Sequence, residues 1–453
     1  MTLSPELTAL RDEAMRVSCL SWAIQKRWGL TDAGPERTGP CPKCGSAGHS
    51  KGTGPVDRFS INIARNIFNC RRCGIAGSGV IDLVMQTQDV VFIEACEIIT
   101  GHAADAPIDE AKAEENRRAL EAEERRRAAA AERYRERARA AGNAIWREGQ
   151  WIDFSVRSIA RDYLEIVRAI DLGQVAERFP VLRFHPELPW TEAFTDERGN
   201  TGWRTLHIGP ALMAAVQLPD GRFGAVHMTW IDLSQPKGKL VLPPDDKGEA
   251  RPSKKVRGTK KGGAIRLYTP AGTGSRDGDP EAVGRAGALA TDRTERGARR
   301  IVMGEGLEST GTPLCHAFEP DTAYWAGVDL GNMGGLALKL DGRTIHDQPD
   351  MEDRPFLPPD WCEELVYLGE GDDAEVHSEE KCIRGLRRAK RIREAARAQR
   401  PELPPLSIVY VPPGEPGKDM NDIAMDELGA LSSPGALSDR PADGLSPDSG
   451  GLE

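Results

Sequence analysis

Cys41-Pro42-Lys43-Cys44, followed by Arg58-Phe59-Ser60-Ile61-Asn62-Ile63 and then by Ile67-Phe68-Asn69 running straight into Cys70-Arg71-Arg72-Cys73, is the stretch that decides the N-terminal fold. Each Cys-x-x-Cys turn aims two thiolates at one point. Two such turns brought together by a hairpin supply the four sulfur ligands of a tetrahedral zinc ion. Between them the residues alternate apolar with polar, which predicts two strands of a zinc ribbon. His49 is near enough in sequence to compete for the metal. Because Cys41, Cys44, Cys70 and Cys73 already fill the coordination sphere, His49 reads as a loop residue.

The chain has 453 residues and nine cysteines, an odd number. The other five, Cys19, Cys96, Cys315, Cys362 and Cys382, are scattered through helical or strand-like context, which is not a disulfide framework. Met1 to Leu10 lacks the basic start and apolar run of a secretory signal, and no window approaches the ~18 uninterrupted apolar residues of a membrane span. The expectation is a cytoplasmic protein with no membrane contact. A net charge of -10 excludes a uniformly basic nucleic-acid coat but says nothing about local basic patches.

Composition and periodicity divide the chain as follows. Residues 1–104 form the zinc-ribbon unit, with helical packing from Val80-Ile81-Asp82-Leu83-Val84-Met85 and from Phe92 to Ile99. Residues 105–145 are Ala, Glu and Arg with oppositely charged pairs at helical spacing and no Pro after Pro107, a solvated helical linker. Residues 146–268 are strand-rich, with a hairpin predicted from Ala211 to Trp230 around Pro219-Asp220-Gly221. Residues 269–300 read as a flexible linker or insertion, and 431–453 as a disordered tail.

Residues 301–430 form an α/β unit. Short apolar strands, Ile301-Val302-Met303, Tyr324 to Val328, Leu365 to Leu368 and Leu406 to Val411, alternate with helices, which implies a parallel sheet. Carboxylates stand just beyond strand ends: Glu305 after the first, Glu370 and Asp372 after the third, and Asp419 after the fourth. Such sheets bind ligands at those ends. Converging carboxylates repel unless a cation neutralises them, and oxygen ligands of this kind select Mg2+ or Mn2+. The chemistry implied is metal-assisted phosphoryl transfer.

The order of a zinc ribbon, a strand-rich segment, Glu305-Gly306 after one strand, an acid-x-acid after another and Lys418-Asp419 after a fourth resembles the bacterial-type DNA primases, especially their phage and plasmid relatives. The likeness covers roughly Cys41 to Val84 and Trp203 to Asp422, and closes on Pro413 to Asp422, which is similar to that family's proline-glycine-lysine-aspartate motif. It implies that residues 301–430 are a TOPRIM catalytic domain and that residues 146–268 are the subdomain preceding it. By the same resemblance, Glu305 corresponds to the family's characteristic glutamate, which acts in proton transfer or sits beside the metal, Glu370 and Asp372 to the acid pair that holds magnesium, Asp419, together with Asp422, to a further acidic position, and Lys418 to a phosphate contact. Two features depart from the family: Glu370 stands where an aspartate is usual, and the loop between the cysteine pairs is longer.

Lys254, Lys255, Arg257, Lys260, Lys261 and Arg266 crowd the region between the strand-rich segment and the linker, and are expected to contact the phosphates of template or nucleotide. No Gly-x-x-x-x-Gly-Lys-Ser/Thr sequence is present, so unwinding is expected from a separate replicative helicase. The expected activity is synthesis of short RNA primers from ribonucleoside triphosphates on single-stranded DNA, for phage or plasmid replication. Two alternatives use the same parts: a TOPRIM nuclease that activates water at the same carboxylates, and a non-catalytic zinc-containing DNA-binding replication protein.

Overall fold

The strands expected between the cysteine pairs form in the computed structural model as Phe59–Asn62 and Ile67–Cys70, joined antiparallel with Phe59 opposite Cys70. Glu36–Gly39 and Ala76–Ser78 extend them to a four-stranded antiparallel sheet. The structure describes residues 3–30, 36–45, 58–63, 65–104, 110–195, 201–245, 248–270, 288–289, 297–340, 343–371, 376–415 and 417–431. His49, Asp372, most of the expected linker and the expected tail lie outside them. The chain divides into two compact units, Met1–Tyr134 and Arg135–Glu453.

In the first unit, Phe59, Ile61 and Phe68 point from the ribbon into a core shared with Trp22, Leu83, Val84 and Cys96 from the surrounding helices. Those helices are Pro5–Met15, Cys19–Gln25, Gly79–Gln88 and Phe92–Thr100. The last ends at Gly101 with φ 75°, a left-handed cap that glycine takes without steric cost. The charged segment is a single helix, Glu110–Glu148, with Glu114 paired to Arg118 one turn on. Among the described residues no helix is long and apolar enough to cross a membrane.

Two large sheets and a two-stranded one, Ala337–Leu340 with Arg343–Pro349, build the second unit among the described residues. One large sheet is antiparallel and five-stranded, in the order Gln150–Trp151, Leu182–Thr195, Thr201–Gln217, Phe223–Trp230 and Lys254–Gly258. The other has Arg300–Gly304 at its centre, parallel to Thr322–Ala326 on one side and to Glu364–Leu368 on the other, with Ser407–Val411 beyond. Alternate residues of these strands face opposite ways, as strand geometry requires. Ile301, Met303, Trp325, Leu365 and Tyr367 enter one core, against Leu386 and Ala389 of the helix Val376–Gln399. Val302, Tyr324 and Ala326 enter another, against Leu307 and Leu314 of the helix Leu307–His316. The central strands are therefore buried on both faces, which is why their middles are apolar.

One element departs from expectation. Ile265–Pro270, which the sequence reading splits between the strand-rich segment and the linker, joins this second sheet antiparallel to Thr322–Ala326. Ile265, Leu267 and Tyr268 are all in the core, with a register shift between Arg266 and Tyr268, and their strand partners lie more than fifty residues away.

Candidate metal centres and the carboxylate cleft

Each cysteine turn closes on a backbone hydrogen bond, Gly45 N–H to Cys41 O and Gly74 N–H to Cys70 O, both 2.9 Å. Gly45 (φ 76°) and Gly74 (φ 77°) are left-handed, so the residue after each pair needs to be glycine. Cys-x-x-Cys-Gly, present in both turns, is a signal in the sequence that the pair spacing alone does not use. The four sulfurs lie within 4.8 Å of one another, with Cys41 to Cys73 at 3.7 Å and Cys44 to Cys70 at 3.8 Å. Zinc held by four sulfurs at about 2.3 Å makes a tetrahedron whose edges are about 3.8 Å, so the cluster fits the ion without rearrangement. Burial pushes the Cys41 thiol up to about 12. Burial acts the same way on Cys70, but the N–H groups of Cys73 and Arg72 and the neighbouring thiols outweigh it and bring Cys70 down to about 7. Cys70 is thus the thiol readiest to give up its proton to a metal.

In the parallel sheet the chain runs from Arg300–Gly304 outward to Thr322–Ala326, then returns to Glu364–Leu368 on the opposite side. That reversal leaves a crevice at the C-terminal ends of the first and third of these strands. Glu305 follows one and Glu370 the other. The Glu305 N–H donates to Glu370 Oε1 (3.2 Å), Ser309 Oγ donates to Glu370 Oε2 (3.4 Å), and the Leu330 N–H donates to Glu305 Oε1 (3.4 Å). Asp419 caps the helix Met420–Leu431, accepting the Asp422 N–H at 2.7 Å. The two loops meet at Gly371: the Gly417 N–H donates to its carbonyl at 2.5 Å, and a Cβ there would overlap the Lys418 carbonyl.

Burial first, then the charges of Glu305 and Asp419, push the Glu370 carboxyl up to about 8. A half-buried carboxylate facing two other acids is a poor arrangement for anions and a good one for a divalent cation. The described carboxylates do not form as tight a ligand group as the four cysteines. Magnesium tolerates this, since it keeps several of its waters and takes one or two carboxylates directly. Without the ion, the sign of the pH effect is set. Below pH about 4.5 Glu370 is protonated in both folded and unfolded chains, and between about 4.5 and about 8 only the folded chain keeps the proton. Stability of magnesium-free protein should therefore fall over that interval, by on the order of 4 kcal/mol, and level off above it. Urea midpoints from pH 5 to 9 test this, and a slope unchanged in Glu370→Gln would remove Glu370 as its source.

The basic residues do not form one patch. Lys254 Nζ pairs with Glu308 (2.8 Å), Lys255 reaches the Thr191 carbonyl across the Trp190 ring, and Arg257 lies over Trp203. Lys260 pairs with Asp329 and Lys261 with Asp353. Arg266 donates to the Leu218 carbonyl (2.9 Å) and lies over Trp325. Lys254–Gly258 is a strand, and the charges of Lys254 and Arg266 meet internal partners. Lys418 pairs with Glu415 (2.5 Å) and Asp426 (2.8 Å).

Glu308 is the residue that sequence reading missed. It is 4% exposed, yet it carries Lys239 (2.9 Å), Lys254 (2.8 Å) and the Tyr163 hydroxyl (2.6 Å). Burial works against its ionisation, but Lys239, Lys254 and Arg168 prevail and hold its carboxyl well below the usual range. Glu308→Leu strands those cations inside the protein and should cost ~3–5 kcal/mol. A urea midpoint equal to the parent's would show that water reaches the site freely.

Residues 136–267 match a domain family described as "Domain of unknown function (DUF7146)". No curated protein matches the chain. Among solved structures the chain is similar to the Aquifex aeolicus primase (zinc binding and RNA polymerase domains), at 16% identity and a TM-score of 0.30, with 94% of this chain and 83% of that chain covered.

Proposed function

We propose that this protein is a DNA primase of the phage or plasmid type, with a TOPRIM catalytic domain in the parallel-sheet region and a structural zinc in the first unit. The observation that supports the reading is the Glu305 N–H donating to Glu370 Oε1 (3.2 Å) at the ends of two parallel strands, with burial and the charges of Glu305 and Asp419 pushing Glu370 up to about 8. Glu305, Glu370 and Asp419 would hold Mg2+ or Mn2+, with Asp372 as a further ligand from outside the described residues. The ion would neutralise the phosphate under attack and the leaving group.

The chain's own groups position the substrates. Glu305 takes the proton of the primer's 3′-hydroxyl as that oxygen bonds the α-phosphorus of the incoming ribonucleotide and the bond to the bridging oxygen breaks, releasing pyrophosphate. Arg257, Lys260 and Lys261 are assigned to the phosphates of single-stranded template, with Lys261 keeping 60% of its side chain exposed beside Asp353. Lys418 is assigned to a substrate phosphate, exchanging its two carboxylate partners for it. A separate replicative helicase is the expected partner.

Incubation of the full chain with labelled ribonucleotides, Mg2+ and single-stranded DNA tests the reading. Short labelled products support it. Shortened template would instead mark a nuclease working through the same carboxylates, and neither product would mark a DNA-binding protein.

A further inference from the structure

Asn421 lies two residues beyond Asp419 and is fully buried. Its Nδ2 donates to the Arg168 carbonyl (2.6 Å) and to Thr312 Oγ1 (3.0 Å), and its Oδ1 accepts from Arg168 Nη1 (3.2 Å). One amide therefore ties together three segments far apart in sequence. The first is the Asp419 turn. The second is the Leu307–His316 helix, which starts immediately after Glu305-Gly306. The third is the backbone and side chain of Arg168.

Arg168 is itself held in an unusual position. It follows a π-helical turn, Tyr163–Val167, and precedes Ala169, whose φ of 53° is left-handed for a non-glycine residue. Single π-turns and such backbone outliers persist where surrounding structure over-determines them. The Arg168 side chain is 1% exposed, and its Nε and Nη2 have no hydrogen-bond partner among the described residues. A cation is thus kept buried, incompletely bonded, with Asn421 as its hydrogen-bonding partner through Nη1. The charge of Arg168 is offset by the nearby Glu308 carboxylate, while its hydrogen bonding depends on Asn421.

We propose that Asn421 is a positioning residue: by bonding Arg168 and Thr312 together, it sets the spacing between the Asp419 turn and the Glu305 turn, and hence the affinity of the carboxylate cleft for a divalent cation. The inference rests on the metal site of the proposed function. Groups that orient metal ligands without touching the metal typically contribute 10- to 100-fold in affinity. Among the described residues, the side-chain hydrogen bonds of Asn421 go to Arg168 and Thr312 and not to Glu305, Glu370 or Asp419, so its effect passes through the two turns it fixes.

The test is Mn2+ binding to the full chain, followed by electron paramagnetic resonance at a temperature well below unfolding, with zinc content measured in parallel. Asn421→Ala should weaken Mn2+ about tenfold with zinc content unchanged, while Asp419→Asn weakens it further. Should Asn421→Ala fold poorly, Thr312→Val removes one of the three bonds at nearly constant shape and should weaken Mn2+ by a smaller factor. Parent-like affinity in both Asn421→Ala and Thr312→Val, with Asp419→Asn still impaired, overturns the positioning role and leaves the metal site standing. Binding that is indifferent to Asp419→Asn as well overturns the metal site, and the inference with it.

Discussion

Glu305→Gln is expected to lower primer synthesis by ~10²–10⁴, the range for removing a positioned proton acceptor, while single-stranded DNA affinity stays at the parent's value or rises. The amide keeps the size of the side chain and the bond from the Leu330 N–H to Oε1 (3.4 Å), so the fold around the crevice is retained. What is lost is the charge and the proton acceptor. Removing a negative group that faces Glu370 also relieves repulsion of the template's phosphates, which accounts for the direction of the binding change. Asp419→Asn should produce a loss of similar size through weakened metal binding, because its neutral amide is a poorer ligand. The helix cap should survive, since asparagine accepts the Asp422 N–H as aspartate does. Asp372→Asn belongs to the same series. Initial rates of labelled ribonucleotide incorporation, alongside DNA binding by fluorescence anisotropy, separate the two effects. Parent-like rates in both Glu305→Gln and Asp419→Asn would mean that the reaction does not occur at this crevice.

The second large effect concerns the ribbon. Freshly purified protein should contain about one zinc per chain, and Cys70→Ser should lose it. Structural zinc contributes about 10–16 kcal/mol of apparent binding free energy in small zinc domains at neutral pH, all of it lost if the site does not form. The ribbon has little to replace that. Its four strands are three or four residues each, and Cys41 and Cys70 are themselves core residues packed with Phe59 and Phe68. Without metal, thiols held 3.7 to 3.8 Å apart have nothing to neutralise them once ionised. The sheet between Glu36 and Ser78 should then become accessible to protease, while the Arg135–Glu453 unit, with its own cores, keeps its resistance. Metal analysis and limited proteolysis measure both. Zinc-free protein that is as protease-resistant as the parent would show that the four cysteines are not a structural site.

Much of the architecture was legible because it is local. The spacing within each Cys-x-x-Cys turn, the alternation of Phe59 to Asn62, and the succession of apolar strand, Gly-rich acidic loop and helix from Ile301 to His316 each carry their meaning within a short run of residues. Turn geometry, strand period and helix entry are short-range consequences of the backbone, and the elements lie close to where these signals put them. Glu305 and Glu370 each follow a strand within two residues, whereas Asp419 stands eight residues beyond Val411, so strand direction aims the first two toward one edge and the loop from Pro412 brings in the third.

Partnership was decided only by the tertiary structure. Nothing adjacent in sequence marks Lys254 as the partner of Glu308, 54 residues on, or Asn421 as the partner of Arg168, 253 residues back. A run of lysines and arginines looks the same whether its charges face solvent or a buried carboxylate. The difference is the environment that distant chain segments provide, here an ion pair for Lys254 and a ring contact for Arg266. Ile265–Pro270 changed sheets on the same principle, since strand pattern specifies a face to bury and not the neighbour that buries it. The sequence by itself thus determined the kind of element on which each candidate residue stands. The tertiary structure decided which of those charges confront each other, because Coulomb interaction and desolvation depend on distance and burial in space, for which separation along the chain is no guide.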